Sequence, residues 1–179
     1  VGGAKASRIA ASVFAGSLTA LLAKGEKVSI AVDLAIRECN AAVYNRTLEE
    51  PELKGMGTTI VALVVNERGE VWIGHVGDSR IYRYRGGQLQ QLTRDDSFVQ
   101  DLIDRGQLKE EDREKHPERS RITKAIGIDG VVEPTVCNLG MWQPGDRCLL
   151  CSDGLTGVVE DAEMAKETFT ERSQAVDQL

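Results

Sequence analysis

The chain reads as an α+β protein, with its helices and its strands gathered in separate runs. Three observations carry that reading. Apolar residues recur at helical spacing over residues 4–23 and 28–45. A break rich in Pro and Gly, "EEPELKGMGTT", closes the helical block. Beyond it the apolar period changes, and short β-branched runs follow one another across turns with no helix inserted between them. Strands that succeed each other in this way predict a meander of adjacent antiparallel neighbours, not a doubly wound parallel sheet.

The first helix is set by Ala6, Ile9, Ala10, Val13, Leu18, Leu21 and Leu22, with Gly25 as its C-terminal stop. The second places Val28, Val32, Ala35, Ile36, Cys39 and Val43 on one face. "TTIVALVV" suits a buried strand, and "VWIGHV" and "RIYRYR" follow across the turns "NERGE" and "GDS". After "LTRDDS" a charged, mostly helical segment is expected over about 97–116, ending at His116-Pro117 because proline disfavours helix in the residue before it. The turn "GIDG", the strand "PTVCNLG", the turn "QPGD" and the strand "RCLLCS" lead to "DGLTG" and a polar, helical tail. No internal repeat or low-complexity segment interrupts this order.

With 179 residues, 41% of them apolar, the chain has the size and the material for one buried core. Its net charge of -6 excludes a protein built mainly to grip nucleic-acid backbones, which needs a basic face. No uninterrupted apolar run approaches the roughly 20 residues of a bilayer span, and "VGGAKASRIAASVF" lacks the pattern of a signal peptide, so no membrane segment is expected. Only Cys148 and Cys151 form a C-x-x-C. With no second pair and no clustered histidines, a zinc site is not indicated, and free thiols in a reducing cytoplasm are expected.

Chemistry is suggested by two acidic turns. In "GHVGDSRIYRY" Asp78 follows Gly77; in "LLCSDGLTG" an apolar strand delivers Asp153 beside Gly154. A carboxylate at a strand end next to a glycine is well placed for a hard cation, and aspartate oxygens suit Mg²⁺ or Mn²⁺. Asp-Gly is also a common turn pair, the use expected of "GIDG". Asp78 could equally cap its own turn through backbone N–H groups. His75 reads as a packed, hydrogen-bonded strand residue and His116 as a helix cap. A cysteine followed by five residues and an arginine, and a D-x-D pair, are both absent, so neither a cysteine nor an aspartyl-phosphate route is indicated.

"GMGTT", "GHVGDSRIYRYRGGQLQQLTRDDS", "HPERSRITKAIG" and "QPGDRCLLCSDGLTG", in that order, resemble the metal-dependent protein phosphatases of type 2C, especially the compact bacterial members, over about residues 1–160. The resemblance implies a β-sandwich of two antiparallel sheets flanked by helices on both faces (α-β-β-α), as one catalytic domain over 1–179 with a flap-like segment at about 95–121. It implies hydrolysis of phosphoserine and phosphothreonine in phosphoproteins, opposing a serine/threonine kinase, through two Mn²⁺ or Mg²⁺ ions bridged by a hydroxide. Asp153 matches the "SDG" aspartate that ligates the binuclear centre. Asp78 matches the "GDSR" aspartate, which helps Asp153 hold a third, weaker ion in bacterial members. Ser79 and Arg80 are expected to brace the turn and an adjoining carboxylate, Gly57, Thr58 and Thr59 to start a core strand, and the flap's charges to form a solvated face.

Some family features do not occur in these residues. The Asp-Gly ahead of the first helix, the upstream strands with a phosphate-binding arginine, and the closing Asp-Asn are missing, and Asp96 stands where the family usually has His. The fold is therefore expected to be incomplete at both ends. Two carboxylates fall short of a two-metal centre, since each ion takes about six oxygen ligands, so little or no turnover is expected of the 179 residues themselves. The alternatives are a catalytically impaired phosphatase-like sensing or interaction module, and an unrelated α+β binding domain whose turns mimic these motifs.

Overall fold

Two helices begin the chain and pack together through small side chains. A computed structural model describes residues 2–169, with side chains as far as 166; the rest of the expected polar tail lies outside the described residues. In it, α1 (Gly3–Ala23) meets α2 (Val28–Glu49) through buried Ala6 and Ala10 on one side and Ala35 and Cys39 on the other. The Cys39 thiol donates to the Ala10 carbonyl at 3.2 Å, and burial pushes its pKa up to about 11. Gly25 stops α1 as expected. Its φ of 84° lets its N–H return to Leu22 while the N–H of Glu26 reaches Leu21, a bonding pattern open to few residues other than glycine. α2 runs past residue 45 to Glu49, where the Arg46–Glu50 pair supports its last turn and Pro51 ends it.

By length and composition alone α1 is long and apolar enough to cross a bilayer, a test that a core helix of a soluble protein also passes, so the expectation of no such segment is not confirmed. Counting uninterrupted apolar residues missed this, because Ser and Thr interrupt the run without making the helix polar. The same helix packs on α2 here.

Six strands follow among the described residues: β1 (Ile60–Val65), β2 (Glu70–Val76), β3 (Arg80–Arg85), β4 (Gln88–Gln91), β5 (Thr135–Met141) and β6 (Arg147–Cys151). They form two antiparallel sheets, ordered β1-β2-β5 and β4-β3-β6. This corrects the expected meander. β2 and β3 are consecutive in sequence, yet they belong to different sheets, and β5 takes the place beside β2. The reason lies in the turn between them. The N–H and C=O of Gly77 bond to Asp96 rather than across a hairpin, so the chain leaves one sheet and enters the other. β4 was not expected, because "QLQQ" carries almost no apolar signal. It forms by a two-residue hairpin in which Gly86 and Gly87 both have positive φ, 56° and 83°, as the tightest antiparallel connection requires.

α2 covers the β1-β2-β5 sheet. Val76 joins the core formed with Val32, Ile36, Cys39 and Val43, while Val71, Ile73 and His75 are buried on the opposite face of β2. α5 (Asp161–Phe169) lies along β4 of the second sheet. The expected helix over 97–116 is instead α3 (Phe98–Asp104) and a separate 3₁₀ stretch, Glu110–Lys115. The Ser97 hydroxyl caps α3 by accepting from the Gln100 N–H at 3.2 Å, and Gly106, with φ 66°, terminates it.

Gly74 is where α2 comes closest to β2. A Cβ there would stand 2.5 Å from Val32 Cγ1 and 2.8 Å from Ile36 Cδ1. Gly74→Val should therefore destabilise the fold by about 1–3 kcal/mol through overpacking, read as a lower urea midpoint. An unchanged midpoint would contradict this contact.

Candidate metal centre

Two turns, far apart in sequence, deliver the two aspartates. Asp78 leaves the end of β2 in the passage between sheets. Asp153 opens the single turn α4 (Asp153–Thr156) directly after β6, where Ser152 is still extended and the Gly157 N–H bonds the Asp153 carbonyl at 2.8 Å. Both line one cavity of about 240 Å³, whose walls include Asp95, Arg113, Arg119 and Ser120. Burial raises the pKa of Asp78, and the charge of Asp153 raises it further. The two carboxylates thus repel each other, a strain that a divalent cation between them relieves. Asp78 also takes a hydrogen bond within its own residue's backbone, so the turn-capping role has a contact as well.

The wall behind Asp78 is an ion-pair network. Arg80 grips Asp95 with two nitrogens, Nε to Oδ1 at 2.9 Å and Nη2 to Oδ2 at 2.7 Å. Burial opposes the charge of Arg80, but the Asp95 carboxylate overcomes it and holds the guanidinium well above its ordinary pKa. Arg80 Nη1 also donates to the Tyr82 hydroxyl, which donates to Asp161 on α5; burial pushes that phenol up to about 12. Ser79 meets the Thr59 hydroxyl at 2.7 Å. Arg80 and Ser79 therefore brace the turn and its neighbour, as their positions suggested.

Other expectations need correction. The flap's charges are not all a solvated face. Arg113 is only 13% exposed, lies 3.6 Å from Asp95, and donates to Gln100 and Glu110. Asp95 was not singled out in the sequence, because its partner Arg80 is reached only after β3 and β4 have folded back on each other. His75 is packed as expected but not fully bonded. Its Nδ1 has no hydrogen-bond partner among the described residues and lies 4.0 Å from Asp96 Oδ2. Burial lowers its pKa. His116 accepts the Glu118 N–H at 3.1 Å, bonding the turn beyond the 3₁₀ stretch. Thr58 pairs with Ile126 at the start of the core strand; Gly57, Thr58 and Thr59 line a different cavity with Lys124 and Ile128.

Carboxylate oxygens fit a hard divalent cation by type. By number they fall short, since no group of three or more His, Cys, Asp or Glu side chains gathers for a metal among the described residues. Asp78 and Asp153 together suit one ion with water completing its shell.

Two antiparallel sheets with paired aspartates at their turns are the arrangement of a metal-dependent phosphatase. The chain belongs to the Protein phosphatase 2C family, whose sequence profile matches residues 1–178. It is 45% identical over 132 residues to the serine/threonine protein phosphatase PstP of Mycobacterium tuberculosis, a match covering 73% of this chain and 25% of PstP. It is 36% identical over 160 residues to the serine/threonine phosphatase stp of Listeria innocua, covering 87% of this chain and 63% of that protein. The chain thus spans a quarter to under two thirds of the length of these relatives. The crystal structure of M. tuberculosis PstP/Ppp superposes with a TM-score of 0.80 at 38% identity, covering 93% of this chain and 70% of that one. A structure of the PstP catalytic domain in complex with two manganese ions gives a TM-score of 0.74 at 35% identity, covering 89% and 66%.

Arg80→Ala leaves the Asp95 carboxylate, 5% exposed, with Arg113 as its nearest remaining cation. The expected loss is about 2–4 kcal/mol of unfolding free energy, and Arg80→Lys should recover little of it because one ammonium cannot span both oxygens. Asp78 makes a pH prediction. Its folded pKa is raised, so the stability it contributes to the metal-free protein is present below the ordinary aspartate range and lost as pH rises through the raised value. Burial of His75 acts in the opposite sense over part of the same range, so the difference is what reports Asp78: melting scans between about pH 4 and about pH 7 should show stability falling more, or rising less, with pH in the wild type than in Asp78→Asn.

Proposed function

We propose that this chain is the catalytic part of a metal-dependent protein phosphatase that hydrolyses phosphoserine and phosphothreonine in phosphoproteins. The observation that carries the reading is the convergence of Asp78 and Asp153 on one cavity that Arg113, Arg119 and Ser120 also line. Divalent ions, when bound, lower the pKa of water and neutralise charge on the phosphoryl group. The carboxylates of Asp78 and Asp153 hold such ions by their negative charge. Arg80 and Asp95 fix the wall from which Asp78 projects. Arg119 and Ser120 offer N–H and O–H donors to phosphoryl oxygens, and Arg113 ties the flap segment 95–121 to its own first residue, Asp95, which Arg80 holds at the cavity wall. That segment shapes access to the site.

The manganese in the PstP domain supports Mn²⁺ as the working ion; Mg²⁺ takes the same oxygen donors. In this reading Asp153 serves the ion pair, and both aspartates serve a third, weaker ion. The substrates are proteins phosphorylated by a serine/threonine kinase. The reducing cytoplasm suits the four cysteines, all of them free.

A second reading, a phosphatase-like sensing or interaction module of impaired activity, is favoured by one observation: no group of three or more His, Cys, Asp or Glu side chains is gathered to hold a metal among the described residues. Hydrolysis of a phosphothreonine peptide by the complete gene product with added Mn²⁺ separates the two. The enzyme reading expects Mn²⁺-dependent turnover that falls about 100-fold or more in Asp153→Asn. Turnover absent in the wild type, with Mn²⁺ still bound in calorimetry, selects the module.

A further inference from the structure

We propose that Asp96 is a positioning residue for Asp78, fixing the direction in which that carboxylate leaves the turn; the inference rests on the reading of Asp78 as a metal ligand. Asp96 is 4% exposed, and all four of its polar atoms are committed. Its N–H donates to the Gly77 carbonyl at 3.0 Å, and its Oδ2 accepts the Gly77 N–H at 3.0 Å. Its own carbonyl accepts the Thr123 N–H at 2.8 Å, and Oδ1 binds Lys124 Nζ at 3.0 Å.

Both backbone polar groups of Gly77 therefore go to one residue. The Gly77 carbonyl and the Asp78 N–H share a rigid peptide plane, so holding that carbonyl sets the plane from which the Asp78 Cα departs. Gly77 itself has φ 105°, a conformation that tolerates no side chain here, since a Cβ would lie 2.4 Å from Thr59 Cγ2. A turn of this kind has little intrinsic preference for one shape and takes it from its partner.

The carboxylate is suited to the task because it serves two cationic or N–H donors at once. Oδ1 is anchored to Lys124 on the strand-like segment that pairs with Thr58, and Oδ2 is left for Gly77. His75, 4.0 Å from Asp96, is held below its usual pKa by burial, so at neutral pH it does not draw the carboxylate away.

The test combines Mn²⁺ affinity by calorimetry with amide hydrogen exchange at residues 77–79, in the wild type and in Asp96→Ala, Asp96→Asn, Lys124→Met and Asp78→Asn. The expected result is a Mn²⁺ Kd about 10-fold or more weaker in Asp96→Ala, with faster exchange at Gly77. Asp96→Asn, which keeps an acceptor for Gly77, and Lys124→Met, which frees only Oδ1, should each be about 3-fold weaker than wild type. A folded Asp96→Ala protein that melts lower but binds Mn²⁺ as the wild type does, with unchanged Gly77 exchange, overturns the proposal. If Asp96→Ala does not fold, wild-type affinity and exchange in both Asp96→Asn and Lys124→Met overturn it instead. A wild type that binds no Mn²⁺, or an Asp78→Asn protein that binds it equally well, defeats the metal reading of Asp78; Gly77 exchange then still decides whether Asp96 holds the turn.

Discussion

The acidic end of this molecule depends on one constraint: the chain must pass from one sheet to the other at Gly77–Ser79 while carrying a charged side chain. A hairpin would have satisfied the backbone of those residues by pairing β2 with β3. The passage gives up that pairing, and the backbone groups of Gly77 are bonded by Asp96 instead, while the Ser79 hydroxyl meets that of Thr59. Freed from a shared sheet, β3 pairs with β4 and β6, and β6 is the strand that leads, through Ser152, to Asp153. The meeting of the two aspartates thus follows from the sheet change itself.

Electrostatically the site combines two arrangements of opposite sense. Asp95 is neutralised in place by Arg80, with Arg113 close by, and contributes structure. Among the described residues Asp78 has no comparable ion pair; burial and Asp153 both act against its charge. Neighbouring carboxylates are thereby divided into one that holds the scaffold and one left with negative charge to be satisfied from outside.

Much of this architecture was legible from periodicity. α1, the strands β1, β2 and β3, and the strands β5 and β6 lie close to where their apolar spacing put them, because that repeat is written locally. Sheet membership was not legible. Whether "GDS" closes a hairpin or crosses between sheets is decided by Asp96, a residue distant in sequence, and β4 was hidden because its stability comes from Gly86-Gly87 and pairing with β3, not from apolar side chains. At the site, Asp78 and Asp153 stood out because both follow an apolar strand and adjoin a glycine. Asp95, Arg113 and Lys124 carried no such local mark. Their roles come from partners on other elements, and a charged stretch such as "KEEDREKHPER" gives no sign of which arginine turns inward.

The placement of β5 also has a kinetic meaning. β3 and β4 are joined by two residues and can zip together as soon as they are synthesised, whereas β2 must wait for a partner that arrives only after α3, the 3₁₀ stretch and the "GIDG" turn. Closing so long a loop is entropically expensive and slow compared with hairpin formation. Until it closes, β2 has an open edge on one side, and this is the interval in which the nascent polypeptide is most exposed to pairing with a stranger.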